Sequence, residues 1–453
     1  MADRNNISNE RNKNRSKNVM KKHLTTFALL TSTFIFLAFI VKSRYYYFPY
    51  PNLIDYFLSL VLIVITLITL FIRNKVTARM KVLTGITGIV ILLACLNILN
   101  LYFEWHPLNL DSPFSKSQSF EVDFEPYKWN TTAPSHYGYR EDSLTKYFEN
   151  INEWERLRAL LVVKGDKLII EKYFCGATRY SGFNVHSVTK SMTSALMGLA
   201  IKHNYINSED DLVLPFFPEY KDQPYGIFKK ALTIKHLLSM RGGWASGDGH
   251  QTAEECIKEE YLNKMPDTEF NYFTGSHNIL SAIITKRANQ STKDFAHQYL
   301  FKPLGMQNAF WRKLDPYYCG GDESYYTARD LARFGQLYLN KGNIDGKQIL
   351  DSAWVDKSFS NYTTRSAAFR STTAYEEVGY GLSWWIFKKD NETIYSARGK
   401  GGQHLMVIPS RNMLVVVLQE WNPLKKNARV EDELLGNLLE LLLEIKKPLA
   451  TPV

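Results

Sequence analysis

Ser187 and Lys190 stand three residues apart within His186-Ser187-Val188-Thr189-Lys190-Ser191. On a helix, positions i and i+3 share a face, so the lysine amine can approach the serine hydroxyl. A hydroxyl is a poor nucleophile until a neighbour takes its proton, and a desolvated lysine can do that. The N-terminus of a helix adds a positive potential that favours developing negative charge. Taken alone, Ser-x-x-Lys is also the pattern of a serine cap followed by an exposed lysine. Average composition yields roughly one or two such patterns by chance in a chain this long.

Two further segments carry chemistry. Phe270-Asn271-Tyr272-Phe273-Thr274 follows Pro266-Asp267-Thr268 and precedes an apolar stretch. A phenol beside an ammonium ionises more readily, so Tyr272 can act as base and then as acid towards a leaving group. The chain has 27 tyrosines, and packing is the commoner role for any one of them. Gly399-Lys400-Gly401-Gly402-Gln403 lies between two strand-like runs. Glycine there lets a substrate lie against a strand edge, where backbone N–H groups can stabilise an oxyanion. Lys400 can hold a substrate carboxylate or bias the tyrosine. The same segment also reads as the tight turn of a hairpin.

These residues need elements to position them. Residues 157–163 and 167–174 read as strands joined at Lys164-Gly165-Asp166, a hairpin signal. Residues 187–203 read as a helix, with Met192, Ala195, Leu196 and Leu199 at helical spacing. Shorter helices are expected near 234–239, 276–287, 292–300 and 327–340. Strands return at 394–398, 404–408 and 413–419, the last two joined by Pro409-Ser410-Arg411-Asn412, and a final amphipathic helix covers about 430–445. Strands at both ends with helices between them predict an α+β arrangement, if the terminal strands share one sheet.

The net charge of +10 is unevenly spread. Residues 1–103 hold thirteen Lys and Arg against Asp3, Glu10 and Asp55, which leaves 104–453 near neutral. A neutral C-terminal part argues against a phosphate-binding surface, so no nucleic-acid partner is expected. The basic excess accompanies three apolar stretches, 24–41, 53–72 and 82–103, each about long enough to cross a bilayer. Two stretches after the first argue against a cleaved signal peptide. Seven basic residues precede the first stretch, and Arg73, Lys75, Arg79 and Lys81 lie in the second loop. The first loop holds only Lys42 and Arg44, beside the aromatic run Tyr45-Tyr46-Tyr47-Phe48. Excess positive charge marks the cytoplasmic side, which puts everything after 103 on the outer face. The expected division is a basic cytoplasmic tail (1–23), three transmembrane helices (24–103), a Pro/Ser/Asn-rich linker or extended wrap (104–140) and a catalytic domain (141–453).

Cysteine is scarce: Cys95, Cys175, Cys256 and Cys319 show no CxxC spacing. The chain has no GxGxxG, Walker-type loop or HExxH, and His186, His236, His277 and His404 are scattered. Neither a metal nor a cofactor is therefore expected.

In order along the chain, these motifs resemble those of the class C β-lactamase-related serine hydrolases, a group that includes penicillin-recognising carboxypeptidases, esterases and 6-aminohexanoate-dimer hydrolases. Ser187–Lys190 resembles the SxxK nucleophile motif. Leu232-Thr233-Ile234-Lys235-His236-Leu237-Leu238-Ser239-Met240 resembles the stretch LTIRHLLSM. Tyr272 falls on the tyrosine of Tyr-x-Asn. Tyr326-Thr327-Ala328-Arg329-Asp330-Leu331-Ala332-Arg333-Phe334-Gly335 resembles TARDLARFG. Gly379-Tyr380-Gly381-Leu382-Ser383-Trp384-Trp385 resembles YGLGWW, and Lys400-Gly401-Gly402 falls on the Lys/His-x-Gly strand motif.

The resemblance implies a β-lactamase/transpeptidase-like fold, an antiparallel sheet flanked by helices with a helical subdomain. It also implies an acyl-enzyme on Ser187, with Lys190 and Tyr272 sharing the proton transfers. The implied oxyanion donors are the N–H groups of Ser187 and Gln403, with Lys400, Gly401, Gly402 and Thr274 on the substrate side. Two positions depart from the pattern: Thr274 stands where β-lactamases carry asparagine, and Arg241-Gly242-Gly243 where Thr-Ser-Gly is usual. The first favours an amidase or esterase over a true β-lactamase. A second reading stays open, a penicillin-binding-like module that senses or binds envelope fragments without hydrolysing them.

Overall fold

The computed structural model describes residues 124–443 apart from the short segments 152–155, 221–226, 246–250, 261, 315, 364–370 and 421–427. The basic tail, the three expected spans and the first part of the linker lie outside the described residues. Among the described residues no helix is long and apolar enough to cross a membrane.

The chain builds a mixed eight-stranded sheet with helices on both faces. Its strands are β1 (Asn130–Thr131), β2 (Leu157–Lys164), β3 (Lys167–Tyr173), β4 (Glu376–Tyr380), β5 (Trp385–Lys389), β6 (Glu392–Gly399), β7 (Gln403–Ile408) and β8 (Met413–Gln419). Their order is β1-β3-β2-β8-β7-β6-β5-β4. The terminal strands do share the sheet: β8 pairs antiparallel with β2, Val416 opposite Leu161. Only β1 runs parallel to its neighbour. The expected first hairpin forms with Gly165-Asp166 as its loop, Lys164 opposite Lys167 and Gly165 at φ +63°, a conformation open to glycine.

The two central strands β7 and β8 are buried along their whole length because both faces are covered. Leu414, Val416 and Leu418 of β8 enter one core, and Met413, Val415 and Val417 enter the other. The period-2 alternation of a strand makes this division. Each such fully buried side chain contributes about 1.5–3 kcal/mol. The second core is closed by α1 (Glu141–Asn150) and α5 (Ala428–Leu443), through Leu144, Leu438, Leu439 and Leu442. The first core is larger and holds α2 (Thr189–Lys202), α3 (Gly275–Ala288) and α4 (Ala328–Leu339).

Helix α2 is buried on all sides from Thr189 to Ala200, the environment that an all-round small and apolar helix requires. Its hydroxyls are used in packing. Ser191 donates to the Ser383 carbonyl (2.6 Å), Ser194 to the Leu382 carbonyl (2.9 Å) and Thr193 to the Gly320 carbonyl (2.7 Å). Two separate loops, at 320 and at 382–383, are thereby tied to the helix that follows Ser187.

Some elements differ from the sequence reading. From residue 124 onward the expected linker belongs to the folded unit as a wrap: Tyr127 stacks under Arg333 (3.5 Å), Trp129 is buried and Asn130–Thr131 joins the sheet. The expected helix at 292–300 is an α-helical turn (Thr292–Ala296) followed by a π-helical one (His297–Phe301). The edge strand β4 has no clear alternation in sequence, because a bulge between Glu377 and Gly379 breaks it.

Candidate active site

The nucleophile turn is built by a change of backbone hand. The two-residue strand Phe183–Asn184 pairs with Ser324–Tyr326 and brings the chain to Val185, whose N–H donates to the Ser324 carbonyl (3.0 Å). His186 then adopts φ +48°, an uncommon conformation for a non-glycine residue. Its N–H is held by Asn184 Oδ1 (2.9 Å), and its ring Nδ1 lies 3.3 Å from Asp322 Oδ1. Ser187 sits in a 3-10 turn (His186–Val188) and α2 begins at Thr189, so the helix starts two residues later than the sequence suggests. The Val188 N–H bonds to the Val185 carbonyl (3.2 Å). Among the described residues the Ser187 N–H meets no acceptor, as expected at a helix entrance.

Lys190 is 1 % exposed, and its Nζ meets three acceptors. They are Ser187 Oγ (2.9 Å), Thr274 Oγ1 (3.0 Å) and the Gly321 carbonyl (2.7 Å). An ammonium has three N–H donors, so this set suits the charged form in a place where an unpaired charge would be costly. Gly321 reaches the lysine only because the loop lies hard against the start of α3. A Cβ on Gly321 would stand 2.6 Å from Thr274 Cγ2 and 2.8 Å from the Thr274 carbonyl, and one on Gly320 would run into the His277 carbonyl. Asn278 Oδ1 accepts from the Gly321 N–H (3.3 Å) and holds the loop down.

Tyr272 precedes α3 on a segment anchored by its neighbours. The Asn271 N–H bonds to the Met240 carbonyl (2.8 Å), the Asn271 amide to the Trp244 carbonyl (2.7 Å), and Phe273 is fully buried. The Tyr272 ring stacks on Trp385 (centroids 5.6 Å, planes 25° apart) and lies 4.9 Å from Lys190 Nζ. Phe270 and Tyr380 complete an aromatic cluster around it. Burial pushes the Tyr380 phenol well above its ordinary pKa, so it stays neutral. His277 is fully buried with Nε2 2.6 Å from Ser383 Oγ, and burial first, then the Lys190 charge, hold its pKa well below the usual value. Lys190 therefore has no second cation in that ring.

The glycine-rich segment is the β6–β7 hairpin, with Gly399 opposite Gln403. It packs on the turn that carries Ser187. The residue making that approach is Gly399, where a Cβ would collide with the Val185 carbonyl. Lys400 is exposed, and Gly401 and Gly402 have φ of +81° and +84°.

Ser187, Lys190, Tyr272 and Thr274 thus form one cluster, with the hairpin beside the nucleophile turn. At two of the expected positions the structure adds side-chain contacts that the sequence does not show. Thr274 is 3 % exposed with its hydroxyl on Lys190, so it serves the lysine. Gln403 is buried with its side-chain amide paired to Gln419 inside the sheet. Sequence reading placed Trp385 only within the motif Gly379–Trp385, without a role at the site, and missed Gly321 and Gln419. The Gly320-Gly321 pair ahead of Tyr326–Gly335 was the one available signal, since paired glycines mark close backbone approach. Among the described residues no group of His, Cys, Asp and Glu has the grouping of a metal site.

A mixed sheet covered by helices on both faces, with Ser-x-x-Lys entering its central helix and a tyrosine beside the lysine, defines a β-lactamase/transpeptidase-like α+β protein. Residues 157–440 match the protein family described as Beta-lactamase, and the chain belongs to that family of serine hydrolases of the β-lactamase and penicillin-binding type. The 6-aminohexanoate-dimer hydrolase of Paenarthrobacter ureafaciens is 22 % identical over 293 residues, covering 58 % of this chain and 72 % of the relative. Among solved structures, the octameric penicillin-binding protein homologue from Pyrococcus abyssi superposes with a TM-score of 0.52 at 18 % identity, over 67 % of this chain and 77 % of the other. The D-amino acid amidase from Ochrobactrum anthropi SV3 gives 0.53 at 14 %, over 67 % and 98 %.

Proposed function

We propose that this chain hydrolyses an amide or ester through an acyl-enzyme on Ser187. The carrying observation is the 2.9 Å hydrogen bond between the Nζ of buried Lys190 and the Oγ of half-exposed Ser187. The Ser187 oxygen attacks the substrate carbonyl, and its proton passes to the pair formed by Lys190 and Tyr272. That pair returns the proton to the departing amine or alcohol as the carbon–nitrogen or carbon–oxygen bond breaks. Water then attacks the acyl-enzyme, gives its proton to the same pair, and Ser187 recovers its hydroxyl. The oxyanion is met by the Ser187 N–H at the helix entrance. The contact between Gly399 and the Val185 carbonyl supports the Lys400 N–H as second donor, in place of the Gln403 N–H expected from sequence.

Thr274, where β-lactamases carry asparagine, supports a simple amide or ester substrate over a β-lactam. The charge pattern of residues 1–103 supports a three-span membrane anchor with a cytoplasmic N-terminus and a bacterial catalytic domain outside the membrane. Envelope-derived or small acyl compounds are then the accessible substrates.

The test is labelling of the full chain with a serine-directed fluorophosphonate, beside Ser187→Ala, Lys190→Ala and Tyr272→Phe, with p-nitrophenyl ester and nitrocefin assays in parallel. Labelling lost in Ser187→Ala, with ester turnover and slow nitrocefin hydrolysis, is the expected result. Labelling that survives in Ser187→Ala sinks the nucleophile assignment. A stoichiometric adduct without turnover favours the sensor module instead. A membrane-impermeant form of the probe, applied to intact cells, tests the orientation.

A further inference from the structure

Two glutamines outside the reacting cluster hold the hairpin that carries Lys400. The main-chain ladder between β7 and β8 runs from Ile408 opposite Met413 to His404 opposite Val417. Beyond His404, side chains join the strands. The Gln403 amide donates from Nε2 to the Gln419 carbonyl (2.7 Å) and accepts the Gln419 N–H at Oε1 (3.0 Å). One carboxamide thereby stands in for the missing strand partner. The Gln419 side chain returns the contact, donating from Nε2 to the Gly402 carbonyl (3.1 Å).

Gln403 is 0 % and Gln419 5 % exposed, so the two bonds between the Gln403 amide and the Gln419 main chain are shielded from water. The turn they hold has little stiffness of its own. Gly401 and Gly402 both have positive φ, and a side chain on Gly402 would run into the Gln419 carboxamide. Glycine supplies the conformation and also the freedom to leave it. The interlocked amides remove that freedom.

We infer that Gln403 and Gln419 are positioning residues that hold the Lys400–Gly402 turn where its peptide N–H meets the developing oxyanion. The inference rests on the reading of Ser187 as nucleophile and of the Lys400 N–H as second donor. An oxyanion donor acts by being preorganised at about 2.7–3.1 Å from the charge that develops, so its value depends on what fixes it. Misplacement by about 1 Å can cost about 10²-fold in rate. Neither glutamine touches substrate; each acts through the turn.

The experiment uses the full chain with Gln419→Glu and Gln403→Glu, which keep side-chain shape while removing the Nε2 donors. It reads kcat and KM for a p-nitrophenyl ester, the rate of Ser187 phosphonylation, affinity for a phenylboronic acid as tetrahedral-adduct mimic, and the thermal transition. The expected result is a 10- to 100-fold loss in kcat and phosphonylation rate, boronate binding weakened in parallel, and KM within threefold of wild type. The double variant should lose no more than the worse single variant, because both act on one turn. If either glutamate variant lacks a thermal transition, Gln419→Met, similar in size and without the hydrogen bonds, takes its place. Folded variants with kcat within threefold of wild type, or with the loss confined to KM, overturn the inference. Wild-type labelling that persists in Ser187→Ala defeats the underlying reading instead, so the two failures are distinguishable.

Discussion

Thr274 Oγ1 lies 3.0 Å from Lys190 Nζ and completes a set of acceptors whose other members are Ser187 Oγ and the Gly321 carbonyl. The threonine stands on the segment that also carries Tyr272, so one stretch of chain supplies both the tyrosine and a ligand for the lysine. Losing that ligand takes one acceptor away from a buried ammonium.

Thr274→Val keeps the shape and removes the acceptor. The expected cost is about 1–3 kcal/mol of stability, the usual penalty for an unsatisfied buried polar group. A fall in kcat/KM of about tenfold or more should accompany it as the lysine shifts, and Thr274→Ser should restore both. Urea denaturation and ester kinetics measure the pair of effects; an unchanged Thr274→Val protein would remove the hydroxyl from the lysine's environment.

Tyr272→Phe separates packing from proton transfer. The ring keeps its stack on Trp385, so stability should change by less than about 0.5 kcal/mol. The loss of the phenol should lower kcat by about 10²- to 10⁴-fold, the range for a positioned acid–base group. Activity near wild type would leave Lys190 as the sole proton carrier.

Gly399→Ala tests the contact between hairpin and nucleophile turn. The added carbon meets the Val185 carbonyl, and Gln403 Cβ at 3.1 Å closes the other side. Overpacking of this kind costs about 1–3 kcal/mol. Phosphonylation of Ser187 should slow more than the thermal transition alone accounts for at assay temperature. A variant with wild-type rate and stability would mean that the two segments separate freely.

The pH dependence of stability should follow buried histidine. Burial, with the Arg398 charge second, pushes His404 down to about 3, and His277 also lies well below its usual value. Unfolded histidine takes its proton near 6.5, so below that pH the unfolded chain binds protons that the native state refuses. Stability then falls as pH drops from 6.5 towards 3, by about 1.4 kcal/mol per pH unit for each histidine. Burial raises Asp330 to about 7, which acts with the opposite sign: its native carboxyl keeps a proton that the unfolded one releases near 3.8. Two histidines outweigh one aspartate in this window. His404→Gln should flatten the loss between pH 6.5 and 5 in urea titrations, and a variant with the wild-type slope would contradict the assignment.

Much of the molecule is legible without coordinates because it depends on local chemistry. The i, i+3 spacing of Ser187 and Lys190, the strand alternation that divides Val415 from Val416, and the Gly165-Asp166 hairpin follow from helix geometry, side-chain period and backbone sterics. Tyr272 was singled out by its place before an apolar helix and by its match to a family motif, and it does lie beside the lysine. The same local reasoning put the helix start at Ser187, because sequence does not show that His186 turns the backbone through φ +48° first.

What the sequence by itself determined was the set of reacting residue types, their order along the chain and the strands and helices that carry most of them. Only the tertiary structure decided which backbone carbonyl and which hydroxyl surround Lys190, that Trp385 stacks on Tyr272, and that Gly399 and not Gly402 abuts the nucleophile turn. The reason is distance along the chain: Lys190 meets Thr274 across 84 residues and Gly321 across 131. No periodicity spans such separations. Contacts of that kind exist only once the two cores have closed on the sheet and fixed the loops between them.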